Sequence, residues 1–267
     1  MYKLIAIDMD GTLLTSDKKI TDRTKQAIHA AKQKGVTVVL ASGRPINGMI
    51  DAVNELGLNT PDDFIIHFNG AFVQKVQSGE VLHHQILDGK SAKEVAILAN
   101  KLDLHCHAFS EELGLITTES NPYTDHEAKI NKLDITVYDF NQLDDDHKII
   151  KAMIVGEPSK LTLGISEIPQ AYYKDYTIVQ SAPFFLEFLN PLSNKGEGVS
   201  VIAKQLGLPA EQVMCFGDAE NDHHMIRYAG KGVAMENAMD ETKAIADYIT
   251  DSNDNDGVAK AIETFVL

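Results

Sequence analysis

Short apolar runs alternate with helical patterns at the start of the chain. Leu4–Ile7 and Val36–Ala41 are continuous apolar runs, which are typical of strands buried on both faces of a parallel sheet. Between them, Asp22–Lys34 has a helical pattern that begins after Thr21, a residue that favours the N-cap position. A second helical pattern and a third strand, Phe64–Phe68, follow at short spacing. This order predicts an α/β fold in which helices flank a doubly wound, Rossmann-like parallel sheet.

A different pattern occupies the middle of the chain. Strand-like segments separated by turns dominate there, and one helix is predicted to open at the capping-box sequence Ser91-x-x-Glu94. The strand–helix rhythm returns from about Leu186. We therefore expect a core domain built from both ends of the chain, residues 1–82 and 186–267, and an inserted α+β domain with antiparallel strands, residues 83–185, which the resemblance described below identifies as a cap domain.

Two carboxylates follow the first strand. Asp8 and Asp10 begin on the same side of an extended chain, and Gly11 lets the chain turn away after them. Ligands of open α/β sheets bind at the carboxyl ends of the strands. One carboxylate of such a pair can attack phosphorus while the other donates a proton to the leaving oxygen, with a divalent metal offsetting the charge. The alternative interpretation is an exposed acidic loop.

Two further clusters suit an anion. Ser42-Gly43-Arg44 follows the second strand and precedes a helix, so that a hydroxyl, a backbone N–H and a helix N-terminus converge there. Lys195 stands at the start of a later helix, where the helix dipole disfavours a cation unless that cation faces an anion. The alternatives are an ordinary N-cap turn in the first case and an exposed lysine in the second.

A fourth polar cluster follows the apolar strand Val213–Phe216. Asp218 occupies the same kind of strand end as Asp8, and a carboxylate there suits a hard cation such as Mg²⁺. Asn221 and Asp222 follow three and four residues later, where an acid-rich helix start is the alternative interpretation. All four clusters lie at a strand end or at the following helix start, and their chemistry is complementary. Their joint occurrence indicates a single site.

Composition narrows the range of partners. The chain has 24 Lys and Arg against 39 Asp and Glu, a formal net charge of −15, so we expect no nucleic-acid partner and no membrane partner. Two cysteines form no disulfide framework, and no signal peptide or membrane-spanning run is visible. We therefore expect a cytoplasmic protein. Its oligomeric state stays open between a monomer and a homodimer. An acidic chain that binds phosphate must concentrate positive charge locally.

Taken together, the motifs resemble a known family. The segments Ile5–Leu13, Ala41–Arg44, Lys195-Gly196 and Gly217–Asp222 are similar to the four motifs of the haloacid dehalogenase-like superfamily. More narrowly, the chain resembles the Cof-type sugar phosphatases, which carry a large cap between the second and third motifs. The resemblance covers the whole chain. It departs from the usual pattern at His223-His224, where an apolar residue followed by a small or polar one is more common.

This resemblance implies roles for individual residues. Asp8 would be the nucleophile that forms an aspartyl-phosphate, and Asp10 would be the general acid and base. The groups that bind the substrate phosphate would be Ser42, the amide of Gly43, Lys195 and Asn221. The ligands of Mg²⁺ would be the Asp8 carboxylate, the backbone carbonyl of Asp10 and Asp218, with Asp222 supporting them.

The sequence thus predicts a Mg²⁺-dependent phosphatase that hydrolyses small phosphorylated metabolites, of which sugar phosphates are favoured by the resemblance. Two alternatives stay open at this point. A phosphosugar mutase would use the same site to return the phosphoryl group to another hydroxyl of the sugar. A non-catalytic sensor would bind a phosphorylated metabolite without transferring the phosphoryl group.

Overall fold

The computed structural model describes the whole chain, residues 1–267. In chain order the strands are β1 (Leu4–Asp8), β2 (Thr37–Ala41), β3 (Phe64–His67), β4 (Phe72–Lys75), β5 (Val81–His84), β6 (His105–Ser110), β7 (Gly114–Thr117), β8 (Ile135–Val137), β9 (Ile149–Val155), β10 (Thr177–Ala182), β11 (Phe185–Leu189), β12 (Val213–Gly217), β13 (Lys231–Ala234) and β14 (Tyr248–Ile249). The helices are α1 (Asp22–Gln33), α2 (Ile50–Glu55), α3 (Gly89–Lys101), α4 (Pro122–Asn131), α5 (Pro158–Ser166), α6 (Tyr172–Asp175), α7 (Lys195–Gln205), α8 (His223–Tyr228), α9 (Asp240–Ile245) and α10 (Gly257–Phe265). None of the helices has the length and apolar character that crossing a bilayer requires.

The chain divides into two compact units, one formed by Met1–His84 with Asn194–Leu267 and the other by Gln85–Ser193. The first unit contains a sheet of eight strands in the order β14-β13-β12-β1-β2-β3-β4-β5. The strands from β14 to β3 are parallel, and β4 and β5 extend the sheet as antiparallel strands. The predicted α/β architecture is confirmed.

Both faces of this sheet are buried, as the continuous apolar runs predict. Ile5 and Ile7 of β1 point to the face covered by α1 and α10, whereas Leu4 and Ala6 point to the face covered by α7. The register pairs Asp8 with Ala41 and Ile7 with Phe216, so the segments that follow β1, β2 and β12 leave the sheet at the same edge. Residues far apart in sequence therefore meet at the middle of that edge.

The second unit contains a six-stranded sheet in the order β10-β11-β9-β6-β7-β8. Its neighbouring strands are antiparallel, as predicted, except for the parallel pair β7 and β8. Apolar residues of one face pack against α3 and α5. The other face is also buried, and polar side chains lie there among apolar ones such as Met153 and Phe185. There, Lys151 of β9 lies 3.1 Å from Glu187 of β11 and 3.9 Å from Glu127 of α4, and His107 contacts Thr124.

The predicted domain boundaries need correction. The boundary after residue 185 would cut through β11, which pairs with both β9 and β10 in the sheet of the second unit. The boundary after residue 82 would cut through β5, which pairs with β4 in the first sheet. The error arose because all five residues of β11 are buried, and a strand buried on both faces is what a parallel core sheet leads one to expect. The second unit therefore spans Gln85–Ser193.

The predicted N-cap of one helix is also wrong, by three residues. Helix α3 begins at Gly89, and Asp88 is its N-cap, because the Asp88 carboxylate accepts a hydrogen bond from the amide of Ser91 at 2.8 Å. Ser91 therefore lies inside the first turn and does not cap the helix.

Candidate active site

Lys195 lies at the centre of a buried cluster of charges. It is the first residue of α7, and its side chain is fully buried. Its Nζ lies 2.6 Å from Oδ1 of Asp8 and 2.7 Å from Oδ1 of Asp222. Burial opposes the charged form, but the charges of Asp222 and Asp8 and their hydrogen bonds raise the pKa of Lys195 above its ordinary value. The cation at this helix N-terminus therefore faces anions.

Three carboxyl groups lie close together at this site, and the ammonium of Lys195 contacts two of them, Asp8 and Asp222. Asp8, Asp218 and Asp222 each offer one oxygen, and these oxygens lie within 4.8 Å of one another. Burial and the charges of Asp222 and Asp218 raise the pKa of Asp8 well above its ordinary value, although Lys195 opposes the shift. Burial and the charge of Asp222 raise the pKa of Asp218 to about 6. The cluster thus contains three carboxyl groups and one ammonium, and crowding of the carboxyl groups in a buried site opposes their full ionisation.

Asp222 uses both of its oxygens within the protein. Oδ1 receives the ammonium of Lys195, and Oδ2 accepts hydrogen bonds from the backbone amides of Asp218 at 2.9 Å and Ala219 at 3.1 Å. The carboxylate of Asp222 therefore fixes the turn after β12. Asp8 and Asp218 are left as the carboxylates of this cluster that can hold a cation.

Gly11 and Thr12, which follow Asp10 in the first motif, both pack closely against Asp218. The hydroxyl of Thr12 donates to Oδ1 of Asp218 at 2.8 Å. Gly11 has φ +84°, and a Cβ at that position would lie 2.4 Å from Oδ2 of Asp218. Only glycine allows the turn and the carboxylate to approach so closely. Thr12 belonged to the motif, but the sequence predicted no contact for its hydroxyl.

Asp10 lies outside this cluster of carboxylates and has its own cations. Arg44 donates from Nε to Oδ2 and from Nη2 to Oδ1, each at 2.7 Å, and Lys18 donates to Oδ1 at 2.7 Å. Burial acts to raise the pKa of Asp10, but the hydrogen bonds and charges of Arg44 and then Lys18 outweigh it and lower that pKa. Neither partner of Asp10 was predicted from the sequence.

The loop after β2 and the turn after β12 are joined by a residue that the sequence interpretation missed. Ser42 is buried, and its Oγ accepts a hydrogen bond from the amide of Arg44 at 3.2 Å. Asn69 accepts a hydrogen bond from Nδ2 of Asn221 at 3.0 Å, and its side chain lies 2.9 Å from the position that a Cβ of Gly43 would occupy. The sequence feature that could have identified Asn69 is the Asn69-Gly70 pair, which directly follows the third predicted strand of the core.

His223 does not enter the cluster. Its Nε2 forms a hydrogen bond with the hydroxyl of Thr242 at 2.8 Å, which ties the start of α8 to α9. The backbone of His224 packs closely against Gly196 at the start of α7. A Cβ at Gly196 would lie 2.6 Å from the carbonyl group of His224. The unusual histidine pair therefore has a packing role.

Comparison with known proteins decides the family. The family described as haloacid dehalogenase-like hydrolase matches residues 5–262 of the chain. The chain belongs to this family. The narrower assignment to the Cof-type group, which was predicted from the four motifs, is confirmed by the relatives and solved structures described next.

The similarity extends over the full length of those relatives. A protein of Streptococcus pyogenes serotype M6 named "Putative phosphatase" is 43% identical over 99% of this chain and 98% of its own. The 5-amino-6-(5-phospho-D-ribitylamino)uracil phosphatase YcsE of Bacillus subtilis is 35% identical over 99% of this chain and 96% of its own. A haloacid dehalogenase-like hydrolase of Bacteroides thetaiotaomicron has a TM-score of 0.86 at 35% identity and covers 99% of both chains.

A solved sugar phosphatase of subclass IIB of this superfamily has a TM-score of 0.80 at 26% identity, with 98% of both chains covered. The chain is therefore a phosphatase of the haloacid dehalogenase-like family, and its substrate is a small phosphorylated compound.

Proposed function

We propose that the protein is a Mg²⁺-dependent phosphatase that hydrolyses small phosphorylated metabolites, sugar phosphates above all, through an aspartyl-phosphate on Asp8. The observation that carries the proposal is the position of Lys195, held between Asp8 and Asp222 at 2.6 and 2.7 Å. A buried ammonium beside a buried carboxylate provides the positive charge that an acidic protein needs for a phosphate group.

Asp8 is the proposed nucleophile. One of its carboxylate oxygens attacks phosphorus in line with the ester oxygen, so a bond from Asp8 to phosphorus forms as the bond to the leaving oxygen breaks. Asp10 gives its proton to that leaving oxygen and later takes a proton from the water that hydrolyses the aspartyl-phosphate. Ser42, the amide of Gly43 and Asn221 bind the phosphoryl oxygens together with Lys195.

The donor atoms of the cluster fit a magnesium ion. Mg²⁺ prefers oxygen ligands, and the carboxylates of Asp8 and Asp218 lie within 4.8 Å of each other and outnumber the local cations. The Asp8 and Asp218 carboxylates and the backbone carbonyl of Asp10 are the proposed ligands, and Asp222 fixes the turn that carries Asp218. When bound, the ion neutralises charge on the phosphoryl group.

We assign the choice of substrate to the second unit, Gln85–Ser193, as a cap. The proposed substrate class rests on the names of two relatives. One is a sugar phosphatase, and the other acts on a compound whose phosphate is carried by a ribityl chain. Both names describe a phosphate on a polyhydroxylated carbon chain, which supports a sugar phosphate or a sugar-alcohol phosphate.

A panel of phosphorylated metabolites tests this function, with phosphate release and the fate of the carbon chain followed together. The proposal predicts free sugar plus inorganic phosphate, and an isomeric sugar phosphate would instead identify a mutase. Asp8→Asn is expected to abolish phosphate release, whereas Asp62→Asn, which changes an exposed carboxylate, is expected to retain it. An Asp8→Asn variant with wild-type activity would contradict the mechanism, and a wild-type protein that binds phosphate esters without hydrolysing any would be a sensor.

A further inference from the structure

The turn after β3 has an unusual backbone. Phe68, Asn69 and Gly70 have φ values of +50°, +55° and +91°, so three consecutive residues lie in the left-handed region. Glycine adopts this conformation readily and asparagine tolerates it, but a bulky residue such as phenylalanine rarely does. Such a backbone persists only where surrounding contacts hold it, and it often occurs at functional sites.

The contacts that hold the turn come from the segments proposed to bind phosphate. The amide of Asn69 donates to the carbonyl of Ser42 at 2.9 Å, and the amide of Phe68 donates to the carbonyl of Arg44 at 3.0 Å. A Cβ on Gly70 would lie 2.1 Å from the carbonyl oxygen of Asn194, the residue before Lys195. The turn therefore packs against both the loop after β2 and the start of α7.

The side chain of Asn69 reaches a third segment. Asn69 is 3% exposed, and its Oδ1 accepts a hydrogen bond from Nδ2 of Asn221 at 3.0 Å. This bond fixes which end of the Asn221 amide is the donor and leaves its second N–H for another acceptor. The Asn69 amide group also fills the space where Gly43 has no side chain. One buried side chain thus orients two of the proposed phosphate donors.

We propose that Asn69 is a positioning residue for the phosphate group, because it holds the Asn221 amide and the Gly43 backbone amide in the orientation that donates to phosphoryl oxygens. The inference rests on the proposed function, in which Gly43 and Asn221 bind the phosphate. Asn69 does not touch the phosphate itself, and its effect passes through these two residues.

Asn69→Gly tests this role, because glycine keeps the left-handed backbone and removes only the side chain. Calorimetry with inorganic phosphate and Mg²⁺ is expected to show a dissociation constant about five- to ten-fold higher than that of the wild type, the size of one or two lost hydrogen bonds. The KM for p-nitrophenyl phosphate is expected to rise with it while the melting temperature changes little. Lys132→Gly, which changes another left-handed residue at φ +54°, is the matched control and is expected to leave both constants unchanged.

A double-mutant cycle separates positioning from a general loss of structure. If Asn69 acts through Asn221, the combined variant Asn69→Gly with Asn221→Ala loses less affinity than the product of the two single losses. Phosphate binding by Asn69→Gly as tight as that of the wild type would overturn the inference, and so would fully multiplicative losses. Should Asn69→Gly not fold, the nearly isosteric Asn69→Asp places a carboxylate against Gly43 and is expected to weaken phosphate binding. Wild-type affinity in that variant would also overturn the inference.

The two proposals fail in different ways. A wild-type protein that binds phosphate but releases none from any ester contradicts the proposed function, and the binding comparison still decides the role of Asn69. A wild-type protein that hydrolyses esters, with an Asn69→Gly variant of unchanged KM and phosphate affinity, contradicts only the role of Asn69.

Discussion

The guanidinium of Arg44 holds both carboxylate oxygens of Asp10, at 2.7 Å each. Two-point contacts of this kind are charge-assisted and directional, so they favour the ionised form of Asp10. A general acid must carry a proton when it meets the leaving oxygen. The proposed role of Asp10 therefore requires that its carboxyl group exchange Arg44 for the substrate during the reaction.

Asp10→Asn is expected to separate the two chemical steps. Nitrophenolate leaves without needing a proton, so the first step with p-nitrophenyl phosphate continues, whereas the attack by water loses its base. Rapid mixing should show a burst of about one nitrophenolate per protein molecule, because a covalent intermediate accumulates. Steady turnover after the burst is expected to fall by about 10²- to 10⁴-fold. Asp62→Asn is the control, and a variant with no burst and wild-type turnover would contradict the role of Asp10.

Lys195→Met is expected to destabilise the protein as well as inactivate it. The substitution leaves Asp8 and Asp222 buried without their shared ammonium, and removing one partner of a buried ion pair typically costs about 3–5 kcal/mol of unfolding free energy. Urea unfolding measures this loss, which should be smaller when Asp8→Asn is already present. Lys204→Met changes an exposed lysine of the same helix and should have little effect. Equal losses from the two lysine variants would show that the buried ammonium does not stabilise the cluster.

The sequence was most informative where function depends on strand order. Asp8, Lys195, Asp218 and Asp222 were all predicted as site residues, because parallel strands bring their carboxyl ends to one edge and each of these residues follows such an end or opens a helix there. The structure brings these four together. The local sequence was sufficient to predict these four residues, because the order of the parallel strands determines which segments of the chain meet at one edge of the sheet.

Side-chain partners and unusual turns could not be predicted in the same way. The contact between Asn69 and Asn221 joins residues that are 152 positions apart. It depends on a left-handed turn, which hydrophobic periodicity does not predict. The pairing of Arg44 with Asp10 depends on side-chain torsions. Four of the five residues of β11 were assigned to the wrong domain because the whole strand is buried, and Glu187 lies beside Lys151 on a face that it shares with Phe185 and Leu189. A buried ion pair of this kind has no sequence signal that separates it from exposed charges.

Magnesium is expected to stabilise the protein through the carboxylate cluster. A ligand that binds only the folded state at about 100 times its dissociation constant adds about 2.7 kcal/mol of stability. Thermal unfolding with Mg²⁺ and with a chelator should therefore show a higher melting temperature with the ion. Asp218→Asn should remove most of that difference and Asp62→Asn should retain it. A magnesium-dependent shift that survives Asp218→Asn would exclude Asp218 as a ligand, independently of any activity measurement.

His107 is expected to make the stability of the protein depend on pH. Burial, aided by the charge of Lys151, lowers the pKa of His107 from 6.5 to about 3. Between these values the unfolded chain binds a proton that the folded chain does not, so the unfolding free energy falls as the pH is lowered below about 6.5. The loss from this one residue is about 2 kcal/mol at pH 5. Urea unfolding at pH 7 and pH 5 should show a correspondingly smaller decrease for His107→Asn than for the wild type. His29→Asn, which changes an exposed histidine, should keep the wild-type decrease, and equal decreases for all three proteins would mean that His107 is not held neutral in the fold.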